Sequence, residues 1–334
     1  MKTLQLGRSG LRVSEACLGT MTFGEEWGFG ADESECRGIF DAYVEAGGNF
    51  IDTANLYTSG TSERLVGRFV AGDRQRFVIG TKYTCSTDST NPNASGNHRK
   101  HLVESVEGSL QRLGTDYVDI LWVHAWEQVT PVDEVMRALD DLVRQGKVLY
   151  VGVSNTPAWV VAQANTLAQC KDWSPFVAMQ IEYSLTQRVG ERDLLPMAKA
   201  LGIGVMGWSP LAGGLLTGKH SQPGPDTLRE AWVATRKSDK NLAIADLVVS
   251  AAAELGCTPA QLALSWVKRQ GVIPILGARR QAQMVDNLAG LSLELPDEVM
   301  DSLHRASRIR LGYPHSFLKS KPIQKLLYGA RFRP

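Results

Sequence analysis

Short apolar runs and helical apolar stripes alternate along this chain, and the alternation predicts its elements. LQLGRSGLRVSEACLG places two apolar runs around Arg8-Ser9-Gly10, which predicts a small hairpin leading into a strand that ends near Leu18 and is closed by Gly19-Thr20. From Glu33, the positions Ile39, Phe40, Tyr43 and Val44 recur at helical spacing until Gly47-Gly48, and the strand NFIDT follows. Ser62 reads as the N-cap of a helix that buries Leu65, Val66 and Phe69 ahead of the strand RFVIGTK. The unit then repeats. Leu102, Val103, Val106, Leu110 and Leu113 form a stripe ending at Gly114 before YVDILWVH, and Val135, Met136, Leu139, Leu142 and Val143 form another ending at Gly146 before VLYVGVSN. A helix from Pro157 to Ala168 precedes FVAMQIEYS, and one from Glu191 to Leu201 precedes IGVMGWSP.

Successive strands begin about 25 to 40 residues apart, each apolar on both faces and each followed by one helix, which is the pattern of a parallel sheet covered by helices. The alternation breaks once. Between Pro210 and Asn241 the glycine-, proline- and charge-rich stretch GGLLTGKHSQPGPDTLREAWVATRKSDK predicts a long loop, followed by helices from Asn241 to Leu255 and Pro259 to Gln270 and the strand GVIPIL. From ACLG to VIPIL this makes eight strands with no linker or composition shift between them. The expectation is therefore one α/β domain over residues 1–334, a (β/α)8 barrel of the TIM type rather than a doubly wound open sheet. It carries an N-terminal β-hairpin, the long loop after strand 7, and extra C-terminal helices from Gln281 to Leu288 and after Pro296. A basic tail over 308–334 is expected to cover the barrel or to join an interface in a homo-oligomer.

Composition narrows the partners. The 36 basic and 35 acidic residues leave a formal charge of +1, which supplies no global field for nucleic acid or an anionic membrane. Lys2, Gln5 and Arg8 interrupt any N-terminal apolar segment, and no run approaches the roughly 20 residues that span a bilayer, so a soluble, cytoplasmic protein is expected. The five cysteines, Cys17, Cys36, Cys85, Cys170 and Cys257, are odd in number and form no C-x-x-C pair. Free thiols are expected, with neither a disulfide framework nor a metal site.

The candidate chemistry lies where apolar runs end. In FIDTANLYTSGTSERLVGR a buried strand finishes in Asp52, with Tyr57 in the loop beyond; Lys82 ends the next run and His124 the one after. Thr20, Ser154-Asn155, Gln180 and Trp208-Ser209 occupy the corresponding places on other strands. Any one of these alone is an ordinary turn or rim residue. Together they populate the end of a barrel at which catalytic groups gather. A buried Asp52 needs a partner, and Lys82 is the nearest plausible one. Tyrosine has an unperturbed pKa near 10, and the Lys82 ammonium is expected to lower it by roughly one to three units. Tyr57 then acts as the acid toward a carbonyl oxygen, Asp52 holds Lys82 charged, and His124 donates a hydrogen bond to the same oxygen.

These residues stand in segments that resemble the aldo-keto reductase family along nearly the whole chain: LGTMTFG, FIDTANLYTSGTSERLVG, Thr81-Lys82, SLQRLGTDYVDILWVH, GKVLYVGVSN, MQIEYS, WSPLAGGLLTGK and ILGARRQAQMVDN. The resemblance implies a catalytic tetrad of Asp52, Tyr57, Lys82 and His124. It also implies a nicotinamide cofactor, normally NADPH, held without the Rossmann G-x-G-x-x-G that the chain lacks after its first strand. Gly19, Thr20 and Met21 fall at the strand end facing that cofactor. By the same resemblance Ser154, Asn155 and Gln180 hold the carboxamide, Trp208 stacks on the ring, and Ser209, Pro210, Leu211, Gly213, Gly214 and Leu215 pass the pyrophosphate with added charge from Lys219. Gly277, Arg279, Gln283 and Asn287 take the adenosine end, where Arg279 and a helix N-terminus suit a 2′-phosphate. Many relatives have a lysine and a second arginine at Gly277 and Gln283, and this lighter grip keeps NADH as an alternative cofactor. Thr58 stands where many have glycine, and it is expected to narrow the mouth of the site.

Substrate contacts are expected from the loops: Phe23 to Gly30 with Trp27, Cys85 to Asn97, Trp126 and Glu127, and Gly213 to Lys240 with Trp232. Trp27, Trp126 and Trp232 either form an aromatic wall beside Tyr57 and His124 for a small-molecule carbonyl substrate or stack on one another as loop anchors. Two other functions fit the same residues: a lyase using Lys82 as a Schiff base, and a nicotinamide-binding, redox-sensing regulatory subunit.

Overall fold

An antiparallel hairpin of β1 (Thr3–Gln5) and β2 (Arg12–Ser14) precedes eight parallel strands that close into a barrel in a computed structural model describing residues 1–218 and 234–329. The strands are β3 (Cys17–Gly19), β4 (Phe50–Asp52), β5 (Val78–Tyr83), β6 (Val118–Val123), β7 (Val148–Ser154), β8 (Phe176–Glu182), β9 (Gly204–Trp208) and β10 (Ile273–Leu276). They pair in chain order, and β10 closes on β3. Both the eight expected strands and the hairpin are present.

Every residue of β5 and β6 is buried, as a sheet covered on both faces requires. Inside the barrel, Phe50, Val78, Ile120, Trp122, Ala178, Met206, Ile273 and Ile275 pack together with Leu6 and Val13 of the hairpin. Trp122 fits because two flanking strands carry glycine beside it. A Cβ on Gly80 would lie 2.4 Å from its indole nitrogen, and one on Gly152 would lie 2.3 Å from its ring. The hairpin closes the end from which the strands start: Leu6 and Val13 have no exposed surface, and the Arg8 N–H donates to the Gly202 carbonyl at 2.9 Å. The strands finish at the opposite end, in the side chains and loops described below.

The shell follows the apolar stripes: α1 (Glu33–Glu45), α2 (Thr61–Val70), α3 (Arg99–Leu113), α4 (Val132–Arg144), α5 (Ala158–Lys171) and α6 (Leu194–Leu201). Left-handed Gly114 and Gly202 end α3 and α6, as their positions predict. Two starts differ from expectation. Ser62 lies inside α2, whose cap position is taken by Gly60 at φ 86°. A separate 3-10 turn at Val189–Glu191 precedes α6, which begins at Leu194 with Pro196 in its first turn, where the missing N–H costs little. Past β9 come a 3-10 segment, Ala212–Thr217, then α7 (Asp239–Glu254), α8 (Pro259–Arg269), α9 (Gln281–Ala289) and α10 (Asp297–Ser307). Much of the expected long loop, including Lys219 and Trp232, lies outside the described residues.

The tail is anchored where it leaves α10. Arg188 donates to the Ser307 hydroxyl at 2.7 Å, Lys240 to the Arg308 carbonyl at 3.0 Å and Arg192 to the Arg310 carbonyl at 3.1 Å. The short α11 (His315–Leu318) and α12 (Lys321–Tyr328) bury none of their residues. Among the described residues no single helix is long and apolar enough to cross a membrane.

Candidate active site

Strand register assembles the reactive group. Asp52, the last residue of β4, lies opposite Gly80, and Lys82, two residues further along β5, lies opposite Trp122. Both stand where their strands finish. Lys82 Nζ donates to Asp52 Oδ2 at 2.5 Å, to the Thr53 carbonyl at 2.8 Å and to the Tyr57 hydroxyl at 3.0 Å. An ammonium has three protons, and each meets an oxygen. The Asp52 carboxylate also accepts from Gln180 Nε2 at 2.6 Å. With the Lys82 and Asp52 side chains only 2% and 4% exposed, these added hydrogen bonds are what make a buried ion pair tolerable.

Tyr57 opens a tight turn, Tyr57–Gly60, in which Thr58 and Ser59 take φ of 45° and 54° before Gly60. Non-glycine residues rarely adopt such angles, and two hydrogen bonds hold Thr58 there. Its hydroxyl donates to the Phe23 carbonyl at 2.6 Å and accepts the Ser62 N–H at 3.1 Å. Thr58 is wholly buried, so it braces the turn from beneath and does not narrow the mouth as expected. Ser62 serves a related purpose from inside α2: its hydroxyl donates to the Thr20 carbonyl at 2.8 Å. Thr20 in turn donates to the Asp52 carbonyl at 2.9 Å, fixing the end of β4.

Burial decides the electrostatics. The Tyr57 phenol is raised above its ordinary value, because desolvation outweighs the opposing pull of Lys82; the expected lowering is corrected. Burial opposes the Lys82 ammonium, yet Asp52 and Tyr57 reverse that effect and lift it above the ordinary lysine value. Burial pushes the Asp52 carboxyl upward, against Lys82 and the Gln180 amide. His124 is pulled down to about 3, first by desolvation and then by the Lys82 charge. Its ring stands edge-on to Tyr57, 6.0 Å between centroids, and its Nδ1 lies 3.6 Å from Cys85 Sγ. At neutral pH the site therefore holds a neutral phenol and imidazole beside the hydrogen-bonded Lys82–Asp52 pair.

The residues expected to hold a dinucleotide divide into open and engaged groups. Asn155, left-handed at φ 47°, donates to the His124 carbonyl at 2.9 Å and accepts from Trp208 Nε1 at 3.2 Å, so its amide braces the site at both ends. Gln180 directs its nitrogen at Asp52, and Ser154 is buried at the end of β7. Thr20 is engaged with Asp52, Gly19 is buried before it, and Met21 is exposed after it. The stretch from Ser209 fits close approach by a pyrophosphate: Ser209, Ala212, Gly213 and Gly214 all have positive φ. Pro210 and Leu215 are buried beneath it and Leu211 is half-buried. At the adenosine end Arg279 is exposed and nothing lies within 4 Å of a Cβ built on Gly277. Gln283 Oε1 accepts the Arg279 N–H at 2.9 Å, and buried Asn287 donates to the Gly277 carbonyl at 3.3 Å, shaping the turn into α9. A left-handed glycine loop and an exposed guanidinium at a helix start are together compatible with a phosphorylated dinucleotide.

Of the three tryptophans, Trp27 reaches the reactive group, packing edge-on to the Tyr57 ring at 6.1 Å and against Phe29 at 6.0 Å. Trp126 packs onto the helix-side core. Two participants were not foreseen: the Thr53 carbonyl, which completes the Lys82 cage, and Cys85 as the neighbour of His124. The first follows from the strand end and the second from the turn after β5, and neither leaves a mark in residue type.

Comparison with known proteins agrees with this geometry. The family model described as the aldo/keto reductase family matches residues 15–308. The chain is 37% identical over 328 residues to a norsolorinic acid reductase of Aspergillus flavus, covering 95% of this chain and 83% of the relative. It is 35% identical over 319 residues to an aryl-alcohol dehydrogenase of Pestalotiopsis microspora, covering 92% and 82%. An aryl-alcohol dehydrogenase [NADP(+)] of Phanerodontia chrysosporium is 35% identical over 332 residues, covering 92% and 86%.

Proposed function

The chain belongs to the aldo-keto reductase family, and on that premise we propose that it reduces an aryl aldehyde or ketone with NADPH, Tyr57 giving the proton to the carbonyl oxygen. The carrying observation is the Lys82 ammonium held between Asp52, the Thr53 carbonyl and the Tyr57 hydroxyl. A reduced nicotinamide, when bound, supplies the hydride to the carbonyl carbon. Burial keeps the phenol protonated at rest, as an acid must be. As its proton leaves, the phenolate forms 3.0 Å from a fixed cation, which stabilises it without rearrangement. Neutral His124 orients the carbonyl oxygen by donating a hydrogen bond. In the reverse direction the same pair accepts the proton of an alcohol.

The aromatic surface of Trp27 beside Tyr57 supports a ring-bearing substrate, as do the relatives named for aryl alcohols. Arg279, exposed at the start of α9, supports NADPH over NADH. The caged ammonium argues against a Schiff base, which needs a free amine. A chain whose five cysteines are all free suits a reducing compartment, so the cytoplasm is the proposed location.

NADPH oxidation against aryl aldehydes, aryl ketones, quinones, sugars and aliphatic carbonyls tests the reading, with the highest kcat/KM expected for aryl compounds. Tyr57→Phe should keep cofactor binding while kcat falls by about 10²-fold or more, the scale of general acid catalysis. Arg279→Ala should raise KM for NADPH by roughly tenfold, the worth of one charged hydrogen bond, and leave that for NADH unchanged. NADPH bound tightly but never consumed would favour a regulatory subunit, and a borohydride-trapped adduct on Lys82 would favour a lyase.

A further inference from the structure

Cys85 is not part of the reactive group, yet it is the only described residue with a hydrogen-bonding contact to a ring nitrogen of His124. We propose that Cys85 is a positioning residue: its thiol donates to His124 Nδ1, which forces the ring proton onto Nε2, the nitrogen available to the carbonyl oxygen. This rests on the carbonyl-reductase reading above.

A neutral imidazole has one donor and one acceptor nitrogen, and the partner of one decides the state of the other. The Sγ–Nδ1 separation of 3.6 Å is within reach of a sulfur hydrogen bond. Burial raises the Cys85 thiol, so it is a protonated donor at neutral pH, while His124 stays neutral. In the opposite tautomer Nε2 would present a lone pair to the carbonyl oxygen and repel it.

The surroundings fix Cys85 on both sides. Thr84 is forced to φ 103°, a rare conformation for a β-branched residue, and the turn it makes aims Cys85 at His124. Its hydroxyl donates to Asn97 Oδ1 at 2.6 Å, and its carbonyl accepts the Gly96 N–H at 2.7 Å. Asn97 also donates to the Ala125 carbonyl at 3.1 Å and to the Glu127 carboxylate, tying the loop after β5 to the loop that carries His124. The two loops are therefore held in the register that the thiol–imidazole contact needs.

The test compares wild type, Cys85→Ser and Cys85→Ala by ¹⁵N NMR of the histidine rings and by steady-state kinetics with NADPH and the best aryl carbonyl. Wild type and Cys85→Ser are expected to show His124 as the Nε2–H form with Nδ1 as a hydrogen-bonded acceptor. In Cys85→Ala the Nδ1 resonance should move to that of an unbonded nitrogen or the Nδ1–H form should appear. There kcat should fall about tenfold, the effect of one lost hydrogen bond, with KM for NADPH unchanged and with recovery in Cys85→Ser. Unaltered His124 resonances in Cys85→Ala, or an Nδ1–H form in wild type, would overturn the proposal. The spectra decide this without turnover, whereas failure of the wild type to reduce any carbonyl counts against the proposed function and not against the tautomer.

Discussion

Burial moves Tyr57 up and His124 down, and the shared outcome is a pair of neutral groups across the physiological range. The sign of each shift gives a pH profile. His124 stays neutral until pH approaches about 3, so acidification through the ordinary value of 6.5 should leave kcat/KM for reduction level. Tyr57 must be protonated to act as the acid, and its raised value puts the alkaline fall above the ordinary 10.0. Initial rates at saturating NADPH should show no histidine break at 6.5 and an alkaline fall only above 10.0; a break at 6.5 would mean that His124 titrates. The clustering of Asp52, Lys82 and His124 was legible because each ends an apolar run as an unexplained polar group, with Tyr57 in the loop after the first. The direction of the Tyr57 shift was not, because the walls that desolvate it come from elsewhere in the chain, Trp27 among them. The part played by Thr58 was hidden too, since the carbonyl its hydroxyl reaches belongs to Phe23, 35 residues earlier in the chain.

Elements were legible in proportion to their periodicity. The eight strands and the stripes of α3 and α4 stand close to where the apolar spacing puts them, but helix starts depend on backbone angles that residue type indicates weakly, as Ser62 shows. Strand interiors carry a constraint that periodicity also misses. Gly80 and Gly152 look like weak points in β5 and β7, yet they make the space that Trp122 fills. Alanine at either should force the indole aside and destabilise the fold by about 1 to 3 kcal/mol, the usual range for overpacking. Urea denaturation measures this, with Gly72→Ala, beside which nothing lies within 4 Å, as the control. Gly80→Ala should also lower kcat, because Lys82 is two residues further along the same strand and its three hydrogen bonds leave little slack.

At the scale of the whole molecule, the barrel separates stability from chemistry along its axis. Counting strands and helices predicts the closed barrel, but it does not predict what seals it. The residues of β1 are exposed, and only the structure shows that the turn beyond it carries Leu6 into the barrel interior with Val13 of β2. Leu6→Ala should therefore destabilise by about 2 to 5 kcal/mol, the cost of a large-to-small change in a core. Asp52, Tyr57, Lys82 and His124 stand at the far end, on loops and strand ends braced by their own hydrogen bonds. The folded fraction of Leu6→Ala should accordingly keep its kcat/KM, and the pairing of a large loss in denaturation midpoint with unchanged specific activity is the expected signature. A parallel fall in kcat/KM at temperatures where the variant is fully folded would show instead that the plug and the reactive group are mechanically coupled through Trp122, which packs with Leu6 and lies opposite Lys82 in the strand register.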